Sequence, residues 1–282
     1  MASNDELKQQ QRRQWSGNAA NWDSQHDRLR QEMAAVTEWL CREAHIAPGM
    51  RVLDLASGSG HPALDEARLV QPGGTVVATD LVAEMVEAIV RRAREASLDN
   101  LEARVMDAEA IEFPDESFDA VTCRFGIMFC PEPQMALSEV RRVLKPDAWF
   151  AFSVWDEPAK SPAQTVMGEA LGRLGRQQSP VDYDAPGIYQ LAPAGKLEAL
   201  LREAGFSEIH VESLALDFEY ESFEALWERT MLRPGQTRAQ VEALSEEDLR
   251  RLKDELAAIV GPFTKQGVIH LPVTPLCAAA RK

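Results

Sequence analysis

The chain has 282 residues, with 45 acidic against 30 basic side chains and a formal charge of -15 at pH 7. Such a surface repels nucleic-acid phosphates and anionic membranes, both of which reward clustered Lys and Arg, so the expected partner is a small molecule. The first residues lack the apolar region of a secretion signal, and no run reaches the roughly 18 apolar residues of a membrane span. Cys41, Cys123, Cys130 and Cys277 are scattered without paired spacing, which reads as buried thiols in a reducing, cytoplasmic compartment.

In chain order, residues 1–46 read as a helical segment, with Trp15 and Trp22 around Asn18-Ala-Ala-Asn21 and a helical pattern to about Glu43. The apolar run Met50-Arg-Val-Leu-Asp-Leu55 predicts a strand. It is followed by the turn Ala56-Ser57-Gly58-Ser-Gly60, a helix, and a second strand, Val76-Val-Ala-Thr-Asp80. Strand, glycine turn, helix and a strand ending in an acid make a mononucleotide-binding βαβ unit. Gly58 and Gly60 permit positive φ and close backbone approach, and Asp80 stands where a carboxylate takes both hydroxyls of a ribose.

The same glycines satisfy the relaxed G-x-G-x-x-A pattern of nicotinamide and flavin enzymes. Asp54 separates the readings, because a carboxylate at the strand end repels a pyrophosphate on the helix N-terminus and suits a cation. The amino group or sulfonium of S-adenosylmethionine is such a cation; the plain alternative is that Asp54 caps the turn.

An amphipathic helix follows from about Ala83 to Ser97, with Met85 either lining a ligand or in the core. Leu101-Glu-Ala-Arg-Val-Met106 is a third strand that delivers Asp107 and Ala108 to the same sheet edge. There Asp107 is placed to accept an exocyclic amine, with Leu81, Val82 and Met85 covering an adenine ring. Trp149-Phe-Ala-Phe-Ser-Val-Trp155 is a buried fifth strand. A helix is expected over Pro158–Gln178, a loop over 179–192, a helix and turn from Pro193, a sixth strand near Ile209–Tyr220 and a last strand near Val268–Ala280. The roughly 45 helix-forming residues between those strands, with a capping box at Ser245-Glu-Glu-Asp248, read as a cap over the active site or as a homodimer surface.

Val52-Leu-Asp-Leu-Ala-Ser-Gly-Ser-Gly60, Val77-Ala-Thr-Asp80-Leu, Asp107-Ala108, Phe113-Pro114 with Phe118-Asp119, and Arg142-Val-Leu-Lys-Pro146 stand in a specific order and spacing. In these stretches the chain resembles class I S-adenosylmethionine-dependent methyltransferases, in the group around the ubiquinone/menaquinone-type small-molecule enzymes. The resemblance implies an α/β fold: a Rossmann-like doubly wound sheet of about seven strands, mostly parallel with the last antiparallel, plus N-terminal helices and a helical cap. It divides the chain into 1–46 over the cofactor, 47–156 as the cofactor-binding core, and 157–282 on the substrate side, with cap segments at about 157–192 and 221–265. The implied cofactor residues are Trp22, Asp54, Ala56, Ser57, Gly58, Gly60, Asp80, Leu81, Met85, Asp107, Ala108 and Arg124. The implied reaction is methyl transfer to O, N or C of a small molecule; a nicotinamide oxidoreductase and a cofactor-binding protein that transfers nothing are the alternatives.

Three departures from the family pattern stand out. Asp147-Ala148 replaces a glycine pair, so the turn into the fifth strand is expected to avoid a glycine-dependent conformation. Val82-Ala83 lacks the usual cap of the helix after Asp80. His61 follows Gly60, with Pro62 in the first helical turn, where the macrodipole keeps the ring neutral. In-line transfer from a sulfonium needs alignment and exclusion of water rather than a metal, and the histidines at 26, 45, 61, 210 and 270 have no ligand spacing. His61 and Arg124 are the candidate acceptor-side residues. His61 is either a general base or a helix cap, and Arg124 either acts on the acceptor or forms a structural ion pair.

Overall fold

The computed structural model describes residues 3–176, 179–232 and 236–282, the side chain of Gln236 excepted. Chain order begins α1 (Asn4–Ser16), α2 (Ala19–Ser24), α3 (His26–Glu32), α4 (Ala34–Glu43), β1 (Arg51–Leu55), α5 (Ala63–Leu69), β2 (Thr75–Asp80) and α6 (Ala83–Glu95). It continues through β3 (Leu101–Val105), β4 (Phe118–Arg124), α7 (Pro133–Val143), β5 (Leu144–Trp155), α8 (Pro162–Arg173) and α9 (Lys196–Glu203). The remainder is β6 (Ser207–Ser213), β7 (Leu216–Tyr220), α10 (Phe223–Leu232), α11 (Gln236–Glu242), α12 (Glu246–Val260), β8 (Thr264–Lys265), β9 (Val268–Val273) and β10 (Pro275–Arg281).

Two compact units result: Met1–Trp155 with Tyr183–Leu214 and Pro275–Lys282, and Asp156–Asp182 with Ala215–Thr274. The first is built on a 7-stranded sheet of order β3-β2-β1-β4-β5-β10-β6. β1, β2, β3, β4 and β5 run parallel, and β10 lies antiparallel between β5 and β6. This is the doubly wound sheet of seven strands, with the last antiparallel, that the resemblance implies. Central strands are apolar on both faces because helices cover both: Val52, Leu53, Leu55, Phe150 and Phe152 are all fully buried. Edge strand β3 exposes alternate residues, and Val105 is 52% accessible. Ser3 caps α1 in a full capping box with Glu6, whereas Val82 before α6 provides no side-chain acceptor. α6 holds its place instead by burying Met85, Ala88, Ile89 and Ala93 on one stripe.

Asp147 adopts φ 64°, so the left-handed conformation is used after all, within β5 where its pairing with β4 is irregular; the Asp147 carboxylate is held by Arg281 at 2.8 Å. Asp tolerates this region better than most side chains. The single sixth strand expected over Ile209–Tyr220 is two strands, β6 and β7, in different sheets. The last strand likewise divides at Thr274 into β9 and β10, where Pro275 removes a ladder donor. β7, β9 and β8 form a separate 3-stranded sheet in the second unit. The expected helix over Pro158–Gln178 is a short 3-10 turn at Pro158–Lys160 followed by α8, and its expected end at Gln178 lies outside the described residues. Ser245 caps α12 through Asp248 N, without the reciprocal half of the box.

Candidate active site

β1 lies between β2 and β4, so the strand order reverses at its carboxyl end, where open α/β sheets bind ligands. The turn leaving β1 is tightly coiled: Ala56, Gly58 and Gly60 have φ of 51°, 54° and 112°. The value at Gly60 is closed to L side chains, and a Cβ on Gly58 would stand 3.1 Å from the indole nitrogen of Trp22. Ser57 stitches the turn to β2, its Oγ donating to the Asp54 carbonyl at 3.0 Å and accepting from Thr79 N at 3.2 Å.

Asp80 closes the far side. Its Oδ2 accepts from Gly58 N at 2.9 Å and its Oδ1 from Val82 N at 3.0 Å, which orients the carboxylate across the glycine turn. Burial pushes its pKa up to about 6 against the pull of those N–H groups. Beside it Val82, Met85 and Leu81 pack with Ala19, Trp15 and Trp22. Trp15 meets Trp22 edge-on at 5.7 Å and Phe129 at 5.1 Å, so α1 and α2 lie over the carboxyl edge of the sheet.

Asp107, beyond the end of β3, accepts from Glu109 N at 2.9 Å and pairs with Lys8 of α1 at 2.8 Å. Lys8 also reaches the buried Glu109 at 2.6 Å. Ala108 packs on the main core cluster, as does Ala56.

Asp54 is fully buried beneath the turn, and so is Glu66 of α5. The Thr122 hydroxyl faces both, 2.6 Å from Glu66 Oε1 and 3.3 Å from Asp54 Oδ1. Among the described residues, Asp54 Oδ2 and Glu66 Oε2 have no hydrogen-bond partner. Burial drives both carboxyls upward, and for Glu66 the Asp54 charge adds to it. Arg124, at the end of β4, donates to Thr37 Oγ1 at 2.9 Å, and burial lowers its pKa to about 10. Its field also favours the ionised forms of Asp54 and Glu66.

His61 precedes α5, whose N-cap is Pro62, so the ring is not in the first helical turn as expected. It is buried, and both ring nitrogens are engaged: Nδ1 lies 2.8 Å from Asp65 Oδ2 and Nε2 lies 3.0 Å from His26 Nε2. His26 Nδ1 is 3.1 Å from Ser59 Oγ. Burial, then His61, lowers the pKa of His26 to about 4, and burial also lowers that of His61. The ring is therefore neutral through desolvation rather than through a helix dipole.

The structure thus gathers Asp54, Ala56, Ser57, Gly58, Gly60, His61 and Asp80 around one turn. Trp22, Leu81 and Met85 lie to one side, and Asp107 and Ala108 follow the next strand. Sequence reasoning missed His26, Ser59, Glu66, Lys8 and Glu109. A local signal existed for Asp65, four positions after His61 and hence one helical turn on. None existed for His26 or Lys8, which arrive from the N-terminal helices.

A profile described as a methyltransferase domain matches residues 53–152. The ubiquinone/menaquinone biosynthesis C-methyltransferase UbiE of Xanthomonas campestris pv. campestris is 32% identical over 209 residues, spanning 70% of this chain and 81% of that protein. The chain belongs to the class I S-adenosylmethionine-dependent methyltransferases. Membership brings the family's methyl donor, S-adenosylmethionine, and sets the nicotinamide alternative aside. An uncharacterised protein of Mycobacterium tuberculosis strain H37Rv is 37% identical over 154 residues, 55% of this chain and 53% of that protein. The chain thus spans about half the length of this relative. The crystal structure of YcgJ from Bacillus subtilis superposes with a TM-score of 0.57 at 21% identity, covering 87% of this chain and 97% of that one, a likeness of fold.

The site fits the donor in chemistry. It has a glycine turn at the carboxyl edge of the sheet with Trp22 against it, acids at or beside the ends of three strands, an apolar wall, and, among the described residues, a carboxylate oxygen on Asp54 with no hydrogen-bond partner.

Proposed function

We propose that the protein transfers a methyl group from S-adenosylmethionine to a small organic acceptor. The observation that carries this is the Asp80 carboxylate, held by Gly58 N and Val82 N opposite the glycine turn, with Trp22 against that turn. Bound there, the donor supplies a methyl carbon activated by a sulfonium, open to in-line displacement.

The chain's own residues divide the remaining work. Asp80 accepts the ribose hydroxyls, Asp107 accepts the adenine amine, and Leu81, Val82 and Met85 cover the ring. Asp54 places negative charge beneath the turn for the cationic amino end, with Arg124 holding that charge in balance. Trp15 and Trp22 exclude water, which competes with the acceptor for the methyl carbon. The charge of -15 favours a small-molecule acceptor over a polyanion. The same reading places the protein in the cytoplasm and takes the amphipathic helices α10 and α12 as a homodimer surface, which sedimentation velocity checks.

Asp80→Ala removes charge-assisted hydrogen bonds of about 1.5–3 kcal/mol, and calorimetry should show S-adenosylmethionine affinity falling roughly 10- to 150-fold. An unchanged affinity in a folded variant places the ribose elsewhere. Incubation with methyl-labelled donor and a cell extract tests the transfer. Donor binding without labelled product identifies a protein that holds the cofactor and transfers nothing.

A further inference from the structure

Four side chains beside the glycine turn are joined end to end. Ser59 Oγ, His26, His61 and Asp65 Oδ2 follow one another at 3.1, 3.0 and 2.8 Å. Their hydrogens have one consistent direction. An ionised carboxylate only accepts, so His61 Nδ1 carries the hydrogen facing Asp65. A neutral His61 then offers a lone pair at Nε2, which obliges His26 to donate from its own Nε2. The neutral His26 is left with a lone pair at Nδ1, and this obliges the Ser59 hydroxyl to donate. Every polar atom along the line is satisfied, and the rings stack at 4.4 Å between centroids.

The two ends differ. Ser59 stands between Gly58 and Gly60 in the turn at the ligand-binding edge and is 6% exposed. Asp65 is 24% exposed at its side chain and is flanked by Arg30 and Arg68, each at 3.4 Å. Against its burial, His61 and these arginines keep its carboxyl low. The other charged groups facing the rings are Arg92, Asp27 and Asp23 at His26, and Arg124 at His61.

We infer that Ser59, His26, His61 and Asp65 form a proton relay, which accepts the proton released on methylation of a hydroxyl or amine acceptor and passes it to solvent at Asp65. This rests on the methyl-transfer reading above and narrows its substrate class. As the acceptor's lone pair takes the methyl carbon, its proton moves to Ser59 Oγ and the Ser59 proton moves to His26 Nδ1. The His26 Nε2 proton moves to His61 Nε2. One proton has entered, no electron has been exchanged, and His61 ends as an imidazolium against the Asp65 carboxylate. Release of the His61 Nδ1 proton through Asp65 to water leaves both rings neutral in the opposite tautomers. Turning of the Ser59 hydroxyl and exchange of each ring's hydrogen between its two nitrogens through water restore the starting state without returning a proton to the acceptor. An acceptor with no proton to lose, such as a thioether or tertiary amine, leaves the relay idle.

The test joins histidine NMR with transfer kinetics. In ¹⁵N-histidine-labelled protein at pH 7, His61 should be the Nδ1–H tautomer and His26 the Nε2–H tautomer, with the His26 Nδ1 resonance displaced in Ser59→Ala. The opposite tautomers, or two rings titrating independently near 6.5, overturn the relay. With labelled donor and extract as the acceptor source, His26→Gln should lower the maximal rate about 10²- to 10⁴-fold while donor affinity stays within about twofold by calorimetry. Asp65→Asn should move the acid limb of the rate profile to lower pH, because the lost carboxylate no longer supports the His61 proton. Unchanged rates and an unmoved limb show a structural network. Absence of transfer by the wild-type protein overturns the methyl-transfer reading itself, and the relay's role falls with it, whereas the tautomers report on the network alone.

Discussion

The carboxylate pair beneath the glycine turn, fully buried, and the histidine pair beside it, with His61 buried and His26 half-buried, answer desolvation with opposite results. Asp54 and Glu66 share one hydroxyl, that of Thr122, and two of their oxygens stay without hydrogen-bond partners among the described residues. In the His26–His61 pair every ring nitrogen is engaged. The difference is one of hydrogens. Ionised carboxylates only accept, so two of them together satisfy each other only by keeping a proton, while each neutral imidazole both donates and accepts and extends into a chain. Burial therefore moves the carboxyls up and the imidazoles down, leaving both pairs short of charge.

Removing the hydroxyl that the two carboxyls share should have the largest effect. Thr122→Val is expected to destabilise the first unit by about 1–3 kcal/mol, since it takes the shared donor from the buried Glu66 and Asp54 carboxyls, and urea unfolding at pH 8 measures it. Glu66→Gln acts in the other direction. Its amide donates to Asp54, so stability at pH 8 should rise by about 1.5 kcal/mol, seen as a higher unfolding temperature.

The two pairs also oppose each other in pH dependence. A carboxyl raised in the folded state stabilises fully below its unfolded value of about 4 and loses that contribution as pH rises through the folded value. Imidazoles lowered in the folded state contribute fully above about 6.5, and the His26 contribution is lost as pH falls towards about 4. Glu66→Gln should flatten the alkaline side of the stability profile and leave the acidic side alone. If both sides flatten, the pairs are coupled. Asp65→Asn weakens the far end of the histidine line and should cost about 0.5–1.5 kcal/mol at pH 7. The smallest change is expected for an exposed pair outside both dyads: Arg238→Ala, which removes the partner of Glu242 at 2.7 Å, should cost about 0.2–1 kcal/mol by chemical denaturation and less in high salt.

The carboxylate side of this comparison was half legible in the sequence and the histidine side less so. Asp54, Asp80 and Asp107 announce themselves because each stands within two residues of the carboxyl end of a strand, next to a turn, a local pattern that chain order preserves. Glu66 hides in a short helix, where an acid ordinarily reads as a solvated face, and only the packing of α5 shows that it is fully buried. His26 joins His61 through folding of the N-terminal helices, which no periodicity encodes. The fold shows the same division. The parallel strands follow from their apolar runs, yet the division of 207–220 into β6 and β7 falls at Leu214-Ala215, which carry no breaker signal. Asp147 shows the converse case, a left-handed position within β5 where the favoured glycine is missing and Arg281 holds the carboxylate of the substitute.

The place of β10 sets a timetable for synthesis. Residues 275–281 fill the gap between β5 and β6, so the sheet's interior is completed by a segment that leaves the ribosome long after its neighbours. At about 5–20 residues per second the interval after β5 is on the order of ten seconds. Throughout it the apolar run Trp149-Phe-Ala-Phe-Ser-Val-Trp155 offers an unpaired edge, the kind of surface on which nascent chains associate. The nascent protein is thus most in need of a chaperone just before its parallel core is sealed.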